Sequence, residues 1–488
     1  MNYPRLVVAA PQGRSGKTTI TLGLVASLVE RGLVVQPFKK GPDYIDPSWL
    51  TGAGGRPCRN LDLFMMDQAK AVAAFCRGME GADVAIVEGA MGMYDGLDLE
   101  GTGSTAQLAR VLSAPIILVV DTTRMTRSVA ALVSGYQHFE PDVNVAGVIL
   151  NKVARARHEK MLVAAIERYC QIPVLGCIPK REELSIPDRH LGLIPRAEDH
   201  QLVPAIENAR RLAKQYLDLD RIIEIARSVV DPTPIRRGEQ EGDLGCPQRA
   251  GPGRSAWRGL GCPQEVSSSA PVKIAVLMDR VFTFYYPENL EALEDAGARL
   301  VYLDSMADHA LPDVDGLYIG GGFPEVFMEQ LEANRSLRED IRKRAIDGLP
   351  VYAECAGLIY LSRRIRWGDR SAEMVGLLPC EIEMTGKPQG HGYAVAEVVA
   401  DTPFFRRGEV LRGHEFHNTR ISALDRGEMA FAYSLSRGSG IDAEHKDGLS
   451  LGNVLASYVH LHAAAAPMWA ERFVEACRKH RAGAVHSR

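Results

Sequence analysis

The sequence predicts an α/β protein in which a linker joins two domains, each built on a parallel sheet. Residues 1–230 alternate short β-branched runs with amphipathic helical stretches, which is the pattern of a parallel sheet flanked by helices. A similar pattern restarts at 271–488, after a stretch at 231–270 that is rich in Pro, Gly, Arg and Ser. The length of 488 residues exceeds one ordinary core and is consistent with this division.

The composition is typical of a soluble globular protein. Hydrophobic residues make up 46% of the chain and the formal net charge is −4, so nothing points to nucleic acid or an anionic membrane as partner. The chain opens without a signal peptide and has no run of 18 apolar residues, so we expect a cytoplasmic enzyme. Nine scattered cysteines argue against a disulfide framework and for a reducing compartment.

The strands of the first domain are predicted from its apolar runs. These runs lie at 6–10, 34–38, 84–88, 116–121 and 145–151, and helical patterns follow at 20–29 and 202–230. Several of the runs end in polar or glycine-rich loops. Ligand sites of open α/β sheets lie at this carboxyl edge, so the loops are candidates for function.

The first of these loops, residues 11–19, has the pattern of a phosphate-binding loop. A strand that breaks into a glycine-bearing turn and then a helix points backbone N–H groups at an anion. Lys17 would reach the outer phosphates, and the Thr18 hydroxyl would ligate Mg²⁺. Pro11 stands where the standard motif has glycine, so the match covers only the core of the motif. The residues assigned to the nucleotide here are Gly13, Gly16, Lys17, Thr18 and Thr19.

Three other strand ends carry candidate ligands. The second run leads into 38–47, whose two lysines and two carboxylates could clamp phosphate and hold Mg²⁺, although a solvated polar turn is the alternative. These residues are Lys39, Lys40, Asp43 and Asp46. Glu88 ends a buried apolar run, and a carboxylate there is costly unless it meets a cation. Asn151 follows the fifth run, where nucleotide-binding folds often contact the base.

Four segments of this domain together resemble a known family. Residues 13–19, 40–47, 59–62 and 87–96 are similar to the cobyrinic acid a,c-diamide synthase family, whose ATP-binding domain is similar to dethiobiotin synthetase. The resemblance implies that ATP and Mg²⁺ activate a carboxylate as an acyl phosphate, which ammonia then displaces. It implies the following roles: Lys17 and Lys39 contact phosphate, Thr18, Asp43 and Glu88 bind Mg²⁺, and Tyr44, Ile45 and Asp95 lie on the substrate side.

The linker contains a repeated cysteine pentapeptide. Leu-Gly-Cys-Pro-Gln occurs around Cys246 and again around Cys262, which could suggest half of a metal site. No further pair of thiols or histidines flanks it at ligand spacing, so we favour a duplicated flexible linker.

The second domain carries a candidate nucleophile. A strand at 350–354 ends in Cys355, small residues follow and a helical pattern resumes, as in a nucleophile elbow. We expect the helix N-terminus to lower the pKa of the thiol. His460 and His462, near the C-terminus, are the two candidate bases.

This half resembles a class I, triad-type glutamine amidotransferase domain of the cobyric-acid-synthase kind. The resemblance implies that Cys355 is the nucleophile, His460 its base, and that N–H groups near Gly321 and Gly322 form the oxyanion site. The usual third member is a Glu two residues past the base, where this chain has His462. The Gly-His-Glu-Phe-His segment contains His414 and His417 only three residues apart, so the zinc-protease motif is absent.

Together the resemblances imply glutamine-dependent amidation of acetate side chains a and c on a cobyrinate-type tetrapyrrole. Nickel-sirohydrochlorin and siroheme are alternative substrates, and Asn418-Thr419, where the family more often has Tyr-Ser, favours considering siroheme. A switch ATPase of the deviant Walker type is a further alternative, but Gln12 replaces its signature lysine. The central metal, the number of amides, the roles of His414, His417 and His462, and a homodimer stay open.

Overall fold

The computed structural model describes residues 3–180, 199–229 and 271–486, apart from positions 426 and 428. The described residues up to 229 form one compact unit, and those from 271 onward form a second. The predicted linker at 231–270, with Cys246 and Cys262, lies outside the described residues. The domain boundaries therefore stay a prediction.

The first unit is built on a parallel sheet. Among its described residues the sheet has seven strands in the order β3-β2-β4-β1-β5-β6-β7, and all neighbours are parallel. The strands are β1 (Arg5–Ala9), β2 (Val35–Lys40), β3 (Arg59–Leu61), β4 (Val84–Glu88), β5 (Ile116–Asp121), β6 (Val145–Val153) and β7 (Val174–Pro179). The helices are α1 (Lys17–Glu30), α2 (Ile45–Gly54), α3 (Gln68–Gly78), α4 (Thr105–Val111), α5 (Ser128–His138), α6 (Ala156–Cys170), α7 (Asp199–Tyr216) and α8 (Leu219–Arg227).

All five predicted strands of this unit are present, and β4 and β5 have the predicted ends. The strands β3 and β7 were not predicted, because one is three residues long and the other contains Gly and Pro. The predicted helical stretch at 202–230 is two helices. The break is at Asp218, whose carboxylate accepts a hydrogen bond from Arg221 N at 3.0 Å and caps α8.

The second unit is built on a mixed sheet. Its described residues contain a ten-stranded sheet in the order β10-β8-β11-β13-β22-β21-β20-β17-β18-β23, a two-stranded sheet β12-β9 and a four-stranded sheet β15-β14-β16-β19. The strands are β8 (Val272–Leu277), β9 (Phe282–Phe284), β10 (Ala298–Leu303), β11 (Gly316–Ile319), β12 (Gly321–Gly322), β13 (Val351–Glu354), β14 (Arg364–Trp367), β15 (Arg370–Glu373), β16 (Cys380–Met384), β17 (Gly390–Val398), β18 (Val410–His417), β19 (Thr419–Leu424), β20 (Ala430–Arg437), β21 (Lys446–Leu451), β22 (Val454–Ser457) and β23 (His460–Leu461). The helices are α9 (Pro287–Asp295), α10 (Met328–Ala333), α11 (Arg335–Ile346), α12 (Ala356–Leu361) and α13 (Trp469–His486).

The large sheet of this unit changes character at β22. The pairs from β10 to β22 are parallel, and the pairs from β22 to β23 are antiparallel. The predicted α/β class is confirmed for both units. The antiparallel extension was not predicted, because its strands are only partly buried and lack the continuous apolar runs of β8 and β13.

Two further expectations concern cysteines and membranes. Six described cysteines carry free thiols. Among the described residues, no helix combines the length and the apolar character that crossing a membrane requires.

Candidate functional sites

The phosphate loop of the first unit joins β1 to α1. Gly16 precedes the helix with a φ of 87°, a conformation that suits glycine. A Cβ on Gly16 would lie 2.3 Å from Asn151 Nδ2, so the loop has no room for a side chain there. The Asn151 amide donates to Ser15 O at 2.9 Å, so it holds the loop in place. Gly13 is exposed, and Lys17, Thr18 and Thr19 form the first turn of α1.

A buried charge cluster lies beside this loop. Glu88 ends β4, is 0% exposed, and is paired in register with Val8 of β1 and Lys39 of β2. Its Oε1 accepts a hydrogen bond from Thr18 Oγ1 at 2.6 Å, and Lys39 Nζ lies 3.4 Å away. Lys17 Nζ lies 3.9 Å from the same oxygen. The structure therefore brings together residues predicted from three separate segments.

The two lysines of the cluster are in different electrostatic environments. Burial alone would lower the pKa of Lys39, but the carboxylates of Glu88, Asp46 and Asp43 outweigh it and raise that pKa above its ordinary value. Lys39 Nζ is 2.6 Å from Asp46 Oδ2 and 3.7 Å from Asp43 Oδ2. Burial dominates at Lys17 and lowers the pKa there, with Glu88 opposing it. Lys39 is thus a permanent cation held by three carboxylates.

The cluster has a polar atom that fits a divalent cation. Glu88 Oε2 is buried and has no hydrogen-bond partner among the described residues, which is costly for a carboxylate. No group of three His, Cys, Asp or Glu side chains suited to a metal occurs in the described part of the chain. Mg²⁺ commonly uses one or two carboxylates and completes its shell with phosphates and water, so a smaller set suffices.

The predicted substrate-side residues flank this cluster. Tyr44 and Ile45 start α2, where Asp43 Oδ1 accepts from Ile45 N at 2.8 Å and from Asp46 N at 3.2 Å. Asp95 is exposed, and its Oδ2 accepts from Gly92 N at 2.9 Å. The structure thus gives Asp43 a helix-capping contact in addition to its proximity to Lys39.

Two residues of this site were not predicted individually. Asp46 is the nearest carboxylate to Lys39, and Asn60 donates its amide to Gly41 O at 2.7 Å and Asp43 O at 2.8 Å. Asn60 therefore holds the loop that carries Asp43. Both residues lie inside the segments 40–47 and 59–62 that carry the family resemblance, which was the available signal.

In the second unit, Cys355 stands on a sharp turn between β13 and α12. Its φ of 48° and ψ of −95° are strained for a residue with a side chain. Cys355 N donates to Ser457 O at 2.7 Å, and a Cβ on Gly357 would lie 2.5 Å from Ile319 O. Close packing on both sides therefore holds the turn, and the predicted elbow geometry is confirmed.

The expected lowering of the thiol pKa is wrong. Burial raises the pKa of Cys355, and the nearby charge of Glu325 raises it further, while the Ala356 N–H lowers it by less. The helix after Cys355 has only six residues, and the thiol is 5% exposed. The thiol is therefore protonated at neutral pH and needs a base.

The candidate base lies beside the elbow. His460 pairs with His414 across β18 and β23, and a Cβ on Gly321 would lie 2.4 Å from His460 Cε1. Among the described residues, Cys355 Sγ has its hydrogen-bond contact with Phe416 O at 3.9 Å rather than with His460. Catalytic hydrogen bonds are often formed only once substrate is bound, so the lack of a Cys355–His460 hydrogen bond among the described residues does not remove His460 as base.

The glycines assigned to the oxyanion site lie in a closely packed loop. Gly321 and Gly322 form β12, which pairs antiparallel with β9. Gly322 has a φ of 158°, and a Cβ there would lie 1.8 Å from Val281 O. The backbone of this loop is therefore closely packed next to the His460 ring.

The remaining histidines are buried in different environments. The His414 ring stacks on His460 at 5.0 Å, and burial lowers the pKa of His414. The His417 ring stacks on Tyr458 at 3.7 Å. His462 Nε2 lies 3.4 Å from Glu288 Oε2. Sequence reasoning missed Glu354, whose Oε2 lies 3.6 Å from His460 Nδ1.

Comparisons with known proteins match one domain family to each of the two units. Residues 6–194 match the family described as the CobQ/CobB/MinD/ParA nucleotide binding domain, and 273–468 match the CobB/CobQ-like glutamine amidotransferase domain. A relative from Magnetococcus marinus is 46% identical over 96% of this chain and 96% of its own. The chain belongs to the cobyrinate a,c-diamide synthase family.

Members of this family from distant organisms show the same full-length match. The relative from Methanosarcina barkeri is 40% identical over 98% of this chain and 97% of its own. That from Archaeoglobus fulgidus is 39% identical over 98% of both chains. All three relatives bear the name cobyrinate a,c-diamide synthase.

We predict that Lys39→Met destabilises the first unit by about 3–5 kcal/mol, because it leaves buried carboxylates without their cation. Lys214→Met is the matched control: Lys214 Nζ pairs with Glu30 at 2.7 Å but is 52% exposed. An exposed pair contributes about 1 kcal/mol or less. Urea unfolding followed by circular dichroism measures both, and equal losses would contradict the assigned role of the buried cluster.

Proposed function

We propose that this chain catalyses ATP- and glutamine-dependent amidation of the acetate side chains a and c of cobyrinate. The observation that carries the proposal is the Lys17, Lys39 and Glu88 cluster at a phosphate loop, in a chain whose second unit holds Cys355 on an elbow beside His460. A switch ATPase has no use for this thiol. The name shared by the relatives supports cobyrinate as substrate.

The first unit would carry out the activation step. An acetate oxygen attacks the γ-phosphorus of ATP, and ADP leaves, which gives an acyl phosphate. Such a transfer needs positioning and charge neutralisation more than covalent help. We assign phosphate binding to Gly13, Gly16, Thr19, Lys17 and Lys39.

Lys17 and Lys39 suit this task because they differ. Lys39 is fixed by its carboxylates, whereas the ion pair of Lys17 among the described residues is a longer, 3.9 Å contact with Glu88. Burial favours the neutral form of Lys17. The negative charge of a bound phosphate would favour its protonated, positively charged form. We assign Asn151 to contact with the nucleobase of ATP. Its hydrogen bond to Ser15 O gives it a second role, which is to hold the phosphate loop in place.

Mg²⁺ would be bound by Glu88, Thr18 and Asp43. The unpartnered Glu88 Oε2 supports this assignment, and Thr18 Oγ1 is 2.6 Å from Oε1 of the same residue. The metal would supply charge neutralisation at the phosphates. Tyr44, Ile45 and Asp95 are proposed for the acetate-bearing substrate.

The siroheme alternative loses part of its sequence argument. Thr419 is buried, and its hydroxyl donates to Tyr458 OH at 2.9 Å. At Thr419 the departure from the family pattern therefore serves packing inside the second unit, and it gives no reason there to prefer siroheme over cobyrinate.

The second unit would release ammonia from glutamine. The Cys355 thiol gives its proton to His460 and attacks the carboxamide carbon, and the resulting oxyanion would meet N–H groups at Gly321 and Gly322. His460 returns the proton to the amide nitrogen, which leaves as NH₃ when the C–N bond breaks. Water then hydrolyses the glutamyl thioester, which releases glutamate and the free thiol. The ammonia attacks the acyl phosphate, so phosphate leaves and the amide forms.

For the metal site, we predict that Glu88→Gln reduces the gain in ATP affinity that Mg²⁺ gives by roughly tenfold or more, because Gln lacks the anionic Oε2. Asp46→Asn is the matched control, since it removes the 2.6 Å partner of Lys39 but leaves the Thr18–Glu88 pair. Calorimetry with and without Mg²⁺ measures both. A Glu88→Gln variant with the wild-type Mg²⁺ effect would remove Glu88 from the metal site.

For the reaction as a whole, two variants should separate the nitrogen sources. Cys355→Ala should abolish glutamine-dependent amidation but keep amidation from ammonium at alkaline pH, because the first unit needs only NH₃. Lys17→Ala should abolish both, because both need the acyl phosphate, and His460→Ala should behave like Cys355→Ala. Product mass under each nitrogen source is the measurement. Retained glutamine use in Cys355→Ala would contradict the proposal, as would ammonium-driven turnover in Lys17→Ala.

A further inference from the structure

A buried carboxylate directly precedes the candidate nucleophile. Glu354 ends β13, is 1% exposed, and its Oε2 lies 3.6 Å from His460 Nδ1. The position where triad-type enzymes of this class have a glutamate is occupied by His462. That histidine faces a different carboxylate, Glu288, at 3.4 Å.

The Glu354 carboxylate is fixed by a hydrogen-bond network. Its Oε1 accepts from Tyr352 OH and from Leu461 N, both at 3.1 Å, and its Oε2 accepts from Tyr318 OH at 3.4 Å. Burial raises the pKa of both tyrosines, and the charge of Glu354 raises it further. Both hydroxyls therefore stay protonated and donate to the carboxylate.

The same network holds the strand that carries His460. Asn289 Nδ2 donates to Tyr318 OH at 3.3 Å and to Leu461 O at 2.8 Å, and its Oδ1 accepts from Ala463 N at 2.7 Å. The Glu354 carboxylate and the backbone after His460 are thus held by the same hydrogen-bond network. A carboxylate so placed can fix both the orientation and the tautomer of an imidazole.

We propose that Glu354 replaces the missing third member of the triad and is the positioning residue for His460. It keeps the proton on Nδ1, so that Nε2 is the nitrogen that accepts the thiol proton. The positive φ of Cys355 ends the side-chain alternation of β13. Two consecutive residues can therefore serve one imidazole. This inference rests on the proposed glutaminase step.

The decisive variant is Glu354→Gln, which keeps the size of the side chain. Its carbonyl oxygen can still accept from Tyr352 and Leu461 N, but its NH₂ group would face Nδ1 and force the proton onto Nε2. We expect kcat for glutamine hydrolysis to fall roughly 10³- to 10⁴-fold with KM changed little, as loss of the orienting carboxylate does elsewhere. Amidation from ammonium should keep its wild-type rate.

Matched controls separate positioning from packing. Glu288→Gln alters the carboxylate that faces His462, and it should keep glutamine turnover within about threefold, since the inference gives that pair no part in the base. Glu354→Asp keeps a carboxylate and should recover part of the activity that Glu354→Gln loses.

A direct measurement detects the tautomer of His460 in the wild-type protein. Nitrogen-15 NMR of histidine-labelled protein should show the Nδ1–H tautomer for His460 in the wild type and the Nε2–H tautomer in Glu354→Gln. His460→Ala provides the assignment. An Nε2–H tautomer in the wild type would overturn the inference, even if the Gln variant failed to fold.

The kinetic outcomes separate a failure of this inference from a failure of the proposed function. Glutamine turnover within threefold of wild type in Glu354→Gln would overturn the role of Glu354, and so would loss of turnover from both nitrogen sources. If Cys355→Ala also kept its glutamine use, the proposed function itself would fail. The two failures are therefore distinguishable.

Discussion

The first site depends on the burial of one carboxylate between two lysines. Glu88 is fully buried at the end of β4, and the parallel register sets Lys39 of β2 beside it on one strand and Val8 of β1 on the other. The side chain that leaves this strand has to meet cations, because an isolated buried carboxylate is costly. Lys17 and Thr18 meet it from the first turn of α1. Glu88 therefore links the order of the strands in the sheet to the nucleotide site.

The second unit also has a buried carboxylate at the end of a strand, and it serves a different reaction. Glu354 is buried at the end of β13, and tyrosine hydroxyls and a backbone N–H meet it instead of lysines. With no lysine among those contacts, its charge can act on the imidazole of His460. Burial then keeps the Cys355 thiol protonated until a base and substrate are in place. A site of this kind avoids a permanently reactive thiolate.

The sequence was sufficient for the residues that sit in local motifs. The phosphate loop, Glu88 and the Cys355 elbow each combine a buried run with a diagnostic turn, and the structure places them as expected. Glu354 was missed because its place beside His460 depends on the pairing of β13 with β22, which ends shortly before His460. Asp46 was one of two carboxylates that the sequence placed after Lys39, and the turn into α2 makes it the nearer one. The thiol pKa was misjudged because a pattern shows the helix after Cys355 but not the burial that outweighs it.

The central claim is that the chain activates acetate as an acyl phosphate, and oxygen transfer tests it most directly. Cobyrinate with ¹⁸O in its acetate carboxylates should be turned over with ATP and glutamine, and the released inorganic phosphate analysed by mass spectrometry. We expect one ¹⁸O in phosphate for each amide formed, because the acetate oxygen that attacks the γ-phosphorus leaves with it. Phosphate without ¹⁸O, or ¹⁸O found in AMP, would contradict it.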